Sequence, residues 1–304
     1  MKYYTLNNGI EMPAIGLGTF LLPNERMSEI IGEAYRLGYR KFDTAYKYSN
    51  ERTIAKALKE NGIKRENIFI TTKISGDDLY LWRYFCRKSF LNIRNFTSVK
   101  KSILKSFREL QTDYIDLFLI HMAFPNFLKQ WEELDKLYKE GRIRAIGVSS
   151  FLPPHIEALK EVSDTVPVLN QFEISPLNTQ KKLITYCQNK EIVPEAMSTF
   201  AHWRSWEPRK EIVENENIIS MAEKRGKSPV QIVCKWMLDQ GISIIPKTDN
   251  PKHLAENINI LDIELTQEEK LQIDSMDLGK FLNYNPYITL KNLPKKYRDW
   301  KGFE

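Results

Sequence analysis

Cysteine is scarce in this 304-residue chain: Cys86, Cys187 and Cys234 are the only three, with no Cys-x-x-Cys pair. That excludes a disulfide scaffold and a structural zinc site of ordinary spacing. Histidine is almost as rare, with four residues (His121, His155, His202, His253) and no His-Glu-x-x-His run, so no metal is expected. No stretch approaches 18 uncharged apolar residues, and the N-terminus lacks the apolar core of a signal peptide. A membrane partner is therefore not expected, and a cytoplasmic protein is. Lys and Arg exceed Asp and Glu by 45 to 39, a net charge of +6. The excess suits anionic small ligands but is too thin and too scattered for a nucleic-acid footprint. Phosphate-binding glycine motifs are missing too. Gly16-Leu-Gly18-Thr-Phe-Leu21 holds two of the three glycines of the dinucleotide fingerprint and runs into Pro23. Before Gly226-Lys227-Ser228, Met221 stands where a phosphate loop needs its first glycine.

What the chain does have is alternation. Tyr3 to Met12 reads as a hairpin, Asn8-Gly9 supplying the two positive-φ positions of a type I′ turn. Eight β-rich runs follow: Ile15–Thr19, Lys41–Ala45, Ile68–Lys73, Tyr114–His121, Ile143–Ser149, Val166–Phe172, Ile192–Met197 and Ile242–Pro246. Helical patterns lie between them, as in Leu128–Glu140, where Leu128, Trp131, Leu134, Leu137 and Tyr138 recur at three- and four-residue steps. Strand–helix alternation demands parallel pairing through crossover helices, and eight such units close into a barrel of about 250 residues. The expected fold is α/β, a (β/α)8 TIM barrel in one domain spanning 1–304. It carries an N-terminal hairpin at 3–12 and an insertion at about 77–97. A tail at 277–304 is expected to lie over one end.

In such a barrel, chemistry sits at the C-terminal ends of the strands. Asp43 closes the second run and Tyr48 follows it, Lys73 closes the third and His121 the fourth. Ser149 and Ser150 end the fifth, Gln171 the sixth, and Lys247 follows the eighth. Singly these have ordinary explanations: a helix cap, a solvated charge, a core histidine. Together at one end they make a costly polar cluster, which points to function. Tyrosine is a poor acid near neutrality; a neighbouring ammonium lowers the phenol pKa, and a carboxylate keeps that ammonium charged and oriented. A histidine donor beside them would position a carbonyl oxygen for protonation.

These residues carry a family resemblance. Phe42-Asp-Thr-Ala-Tyr-Lys-Tyr-Ser-Asn-Glu51, Thr71-Thr-Lys73, Asp116-Leu-Phe-Leu-Ile-His121 and Gly141-Arg-Ile-Arg-Ala-Ile-Gly-Val-Ser149 resemble the aldo-keto reductase superfamily. Asn170-Gln-Phe-Glu173 and Ile245-Pro-Lys-Thr248 do as well. The resemblance runs from about Tyr4 to Met276. It implies nicotinamide-dependent carbonyl reduction, with NADP(H) favoured and NAD(H) possible. Tyr48 would be the general acid, tuned by Lys73 and Asp43, with His121 orienting the carbonyl. Ser149, Ser150 and Gln171 would hold the nicotinamide carboxamide, and Met197 and Ser198 would lie at its ring. Lys247, Thr248, His253 and Asn257 would line the adenosine phosphate end, with Gly18, Thr19 and Asp43 along the cofactor. Phe20, Tyr48, His121, Met122, Trp82 and Trp203 would line the substrate pocket.

Several positions depart from the family pattern. Ser150 replaces an Asn, and Met197 stands where an aromatic ring normally stacks on the nicotinamide. His253 replaces an Arg near the 2′-phosphate, and Met122 a Trp beside the catalytic His. Two aromatic and basic stretches, Asp78–Phe96 and His202–Lys210, leave the catalytic face. They would cap the pocket around a bulky, partly anionic carbonyl substrate, or else form a helical extension with a solvated basic side. A monomer is the default, though the aromatic insertion could form a contact surface. The resemblance implies an NADPH-dependent carbonyl reductase or alcohol dehydrogenase. The alternative is a redox-cofactor-binding sensor or auxiliary interaction protein on the same barrel.

Overall fold

The computed structural model describes residues 1–74, 99–200, 207–279, 281–300 and 302–303. The insertion at about 77–97, with Trp82, and the segment holding Trp203 lie outside the described residues. Ten strands are described. β1 (Tyr3–Thr5) and β2 (Glu11–Pro13) form the antiparallel hairpin. The others are β3 (Leu17–Gly18), β4 (Lys41–Asp43), β5 (Phe69–Ile74), β6 (Ile115–Ile120), β7 (Ile143–Ser149), β8 (Leu169–Glu173), β9 (Val193–Met197) and β10 (Ser243–Ile244). These eight lie side by side in chain order, and every pairing is parallel. The sheet closes where Gly16 N donates to Ile244 O at 2.9 Å and Ile244 N to Ala14 O at 2.9 Å. β5 and β6 are buried at every position, as strands covered on both faces must be.

The helices follow apolar spacing. Val99–Leu110 buries Ile103, Phe107 and Leu110, one stripe at three- and four-residue steps. In Phe127–Lys139 the stripe is Phe127, Trp131, Leu134 and Leu137, while Leu128 and Tyr138 sit at its half-buried margin. The Lys227-Ser228 pair turns out to begin a helix. Ser228 caps Pro229–Asp239 in a reciprocal box with Gln231, Ser228 N donating to Gln231 Oε1 at 2.9 Å. No helix among the described residues is long and apolar enough to cross a membrane.

The hairpin turn differs from the type I′ expectation. Gly9 has φ +83°, but Asn8 is not left-handed. Gly9 N donates to Leu6 O at 2.8 Å and Leu6 N to Ile10 O at 2.9 Å, a three-residue loop with glycine in the left-handed position. Asn8 is used otherwise: its Nδ2 donates to Arg144 O at 3.0 Å, and Asn7 Nδ2 donates to Pro167 O at 3.1 Å. Leu6 and Met12 pack with Phe69, Leu117 and Leu169, so the hairpin plugs the N-terminal end of the barrel. The tail crosses the opposite end. Glu173 at the end of β8 accepts from Leu282 N at 2.7 Å and Asn283 N at 2.8 Å, and Asn292 Nδ2 donates to Ala123 O beyond β6 at 3.0 Å. The tail therefore lies along the end of the barrel where the strands finish.

Candidate active site

Strand registry brings the polar side chains together. Asp43 lies level with Gly18 on β3 and Thr71 on β5, and Lys73 stands two residues further along the same face of β5. Lys73 Nζ donates to Asp43 Oδ1 at 2.6 Å and to Thr44 O at 2.9 Å, and both side chains are buried. Beyond β4 the chain tightens into a 3-10 turn, Tyr46–Tyr48, that ends on Ser49 at φ +54°. This turn swings the Tyr48 ring over Lys73, whose Nζ is 5.2 Å from the ring centroid. His121 follows β6, its backbone N donating to Ile74 O at 2.9 Å. Its ring meets Tyr48 edge-on at 6.0 Å between centroids. Phe20, an exposed ring, packs against Tyr48 at 4.8 Å between centroids.

The electrostatics follow from burial. Burial alone would drive the Lys73 ammonium down, but Asp43 and Tyr48 outweigh it and raise its pKa, so the amine stays charged. Burial pushes the His121 imidazole down to about 3, helped by the Lys73 and Lys47 charges, so the ring is neutral and has one N–H to donate. Tyr48 departs from expectation. Burial raises its pKa by more than the neighbouring ammonium lowers it, and the net direction is upward. A phenolate placed away from water carries a desolvation cost that the neighbouring ammonium does not repay.

A second polar group adjoins this one. Ser149 on β7 is level with Gln171 on β8, which is level with Glu195 on β9, itself level with Ser243 on β10. Gln171 Nε2 donates to Asp43 Oδ2 at 3.0 Å and to Glu195 Oε1 at 2.9 Å. The Ser149 and Ser150 hydroxyls beside it are buried with no protein partner, Ser150 held at φ +58° just past the strand. Buried hydroxyls without a protein partner can be satisfied by a water or a ligand. Two donors and the Gln171 carbonyl oxygen fit a primary carboxamide.

The other cofactor candidates lie around the same mouth. Met197 is half-buried at the end of β9, and Ser198 follows it exposed at φ +57°. Gly18 is held by packing: a Cβ there would meet Ile245 O at 2.6 Å. Thr19 Oγ1 donates to Asp43 O at 2.8 Å, locking the β3 loop to β4. Lys247 is exposed and Thr248 buried before the helix Pro251–Ile258, which presents His253 to solvent and buries Asn257. Met122, half-buried, follows His121. Sequence reasoning missed Glu195, Lys41 and Ser243 as site neighbours. The signal was strand alternation: if Asp43 points inward, so does Lys41.

Comparison with known proteins agrees with this architecture. Residues 14–278 match the family model for the aldo/keto reductase family. The glyoxal reductase of Bacillus subtilis is 36% identical over 285 residues, covering 92% of this chain and 95% of that protein. The methylglyoxal reductase DkgA of Escherichia coli is 35% identical over 284 residues, covering 92% and 95%. The crystal structure of a Bombyx mori aldo-keto reductase in complex with NADP superposes with a TM-score of 0.78 at 28% identity, covering 92% and 94%. The chain belongs to the aldo/keto reductase family.

Proposed function

We propose that the protein reduces an aldehyde or ketone to an alcohol with NADPH. The observation that carries this is the convergence of Asp43, Lys73, Tyr48 and His121, from the ends of three successive strands, on one point beside the orphaned Ser149 and Ser150 hydroxyls. NADPH, when bound, supplies hydride to the carbonyl carbon. Ser149 and Ser150 would donate to its carboxamide and Gln171 Oε1 would accept from it. Met197 would cover the ring face, and Lys247, Thr248, His253 and Asn257 would take the adenosine phosphate end. The related structure bound to NADP supports the cofactor.

Tyr48 donates its proton to the carbonyl oxygen. A phenol kept neutral by burial is a full-occupancy donor at pH 7, and Lys73 stabilises the phenolate left once the proton has gone. His121, neutral, gives the same oxygen a second hydrogen bond and fixes the carbonyl's orientation. Asp43 keeps Lys73 charged and aimed. Phe20 and Met122 form the described part of the substrate wall; Trp82 and Trp203 are proposed for the remainder. Small dicarbonyls are the first substrates to try, because the similar proteins from B. subtilis and E. coli are a glyoxal and a methylglyoxal reductase.

The test is NADPH oxidation with glyoxal, methylglyoxal and larger aldehydes and ketones, wild type against Tyr48→Phe. Turnover should fall by at least about 100-fold in the variant while NADPH binding persists. Tight NADPH binding without turnover on any carbonyl would refute the enzyme and favour a cofactor-binding sensor.

A further inference from the structure

Lys41 and Glu195 form an ion pair inside the barrel, Nζ to Oε2 at 2.6 Å, with both side chains essentially inaccessible to solvent. Ser243 completes it, accepting from Lys41 Nζ at 2.6 Å and donating to Glu195 Oε2 at 2.8 Å. Barrel interiors are ordinarily filled by branched apolar side chains, and a buried ion pair gains little or no stability over an apolar pair of the same volume. The backbone nevertheless makes room for it. A Cβ on Gly16 would fall 2.6 Å from Lys41 Cε, so a larger residue there would push the lysine side chain aside.

The two Glu195 oxygens have different partners. Oε2 takes Lys41 and Ser243, whereas Oε1 takes Gln171 Nε2 at 2.9 Å. The Gln171 amide thus spends both N–H groups on carboxylates, Asp43 on one side and Glu195 on the other. Turning the amide over would break two charge-assisted hydrogen bonds and press its carbonyl oxygen against two carboxylates. We propose that Glu195 is a positioning residue for the nicotinamide site: with Asp43 it locks the Gln171 amide so that only its carbonyl oxygen is offered to ligand, and buried Lys41 and Ser243 hold Glu195 in place. This rests on the NADPH reading above and deepens it. An acceptor at Gln171 beside hydroxyl donors at Ser149 and Ser150 selects a ring bearing a carboxamide over one bearing a carboxylate. The Glu195 charge is felt across the network: among other causes, it raises the pKa of both Asp43 and Lys73.

The experiment measures equilibrium binding of NADP and of its deamido analogue, in which a carboxylate replaces the carboxamide. Wild type is compared with Lys41→Met/Glu195→Gln and Lys41→Met/Glu195→Met, two neutral pairs of similar volume. Wild type should prefer NADP by at least about tenfold. The Lys41→Met/Glu195→Gln variant retains an acceptor for Gln171 and should keep most of that preference. The Lys41→Met/Glu195→Met variant leaves the amide held by Asp43 alone and should lower that preference by at least several-fold. A preference unchanged in this second variant would overturn the inference and leave Lys41–Glu195 a structural ion pair. Should that variant fold poorly, Glu195→Asp, which keeps the charge but withdraws the acceptor by one methylene, must lower the same ratio or the inference fails. Wild type binding neither nucleotide would instead refute the NADPH reading on which it rests.

Discussion

Replacing Lys73 by Met should separate what the Lys73–Asp43 pair does for stability from what it does for catalysis. Both side chains are buried, and Asp43 keeps only the Gln171 N–H as a side-chain partner once the ammonium is gone. Breaking a buried pair from one side costs roughly 3–5 kcal/mol, because a carboxylate remains uncompensated away from water. The loss depends on pH. Burial already pushes the Asp43 carboxyl up against the pull of Lys73, so without Lys73 it rises further above its unfolded value. Between those two values the folded variant holds a proton that the unfolded chain has shed, and its stability therefore falls as pH rises. Urea melts at pH 8 should show the full deficit against wild type, and at pH 5 a deficit smaller by at least about 1 kcal/mol. Lys73→Met/Asp43→Asn should regain most of the lost stability at both pH values. Activity should behave differently, staying down by about 100- to 10,000-fold in single and double variants alike. A Lys73→Met protein as stable as wild type at pH 8, or equally destabilised at both pH values, would refute the picture of an uncompensated carboxylate.

For carbonyl reduction, kcat/KM should be flat from pH 5 to 8. His121, held down to about 3, supplies no acid limb near 6.5, and the raised Tyr48 phenol places the alkaline fall above about 10; a pH–rate profile with a break near 6.5 would contradict this. His253→Arg should raise the NADPH-over-NADH ratio of kcat/KM about tenfold, a guanidinium gripping a phosphate bidentately where an imidazole cannot; parallel kinetics with both cofactors measure it. His155 should make the tail acid-labile. Its Nδ1 accepts from Leu152 N at 3.1 Å, its Nε2 meets Thr289 Oγ1 of the tail at 3.2 Å, and burial lowers its pKa to about 4. The unfolded histidine binds its proton near 6.5, so stability present above that pH drains away as pH falls toward 4, by up to about 3 kcal/mol. Thermal melts of wild type and His155→Asn across that range should converge at low pH.

The barrel was legible because its two periodicities do not depend on tertiary context. Runs such as Ile115–Ile120 are apolar at nearly every position and too short for helices, and the stripes between them repeat at helical spacing. Strand ends were legible to within a few residues. The sixth and eighth β-rich runs overreach their strands, since Val166 to Val168 and Ile245 to Pro246 lie outside them. The hairpin turn departs from its local sequence for a different reason. Asn8-Gly9 has the right residues for a type I′ turn, yet the Asn7 and Asn8 amides find carbonyls on the barrel, and those tertiary hydrogen bonds accompany a longer loop.

Asp43, Lys73, Tyr48 and His121 could be read because each ends or follows a strand, where a polar residue interrupts an apolar pattern. Lys41 and Glu195 interrupt such a pattern too, but inside their strands, where a charged residue is usually taken for an outward-facing one. Two facts of the fold reverse that assignment. Asp43 fixes the inward face of β4, which turns Lys41 toward the axis, and Glu195 is level with Gln171 and Ser243 on either side. Neither charge could be buried alone; each is tolerable only because the other comes from across the barrel. The mate of Lys41 lies 154 residues away. No local pattern announces such a pair, and a pair that gains the fold so little calls for another reason to exist. The carboxylate oxygen it leaves pointing at Gln171 supplies one.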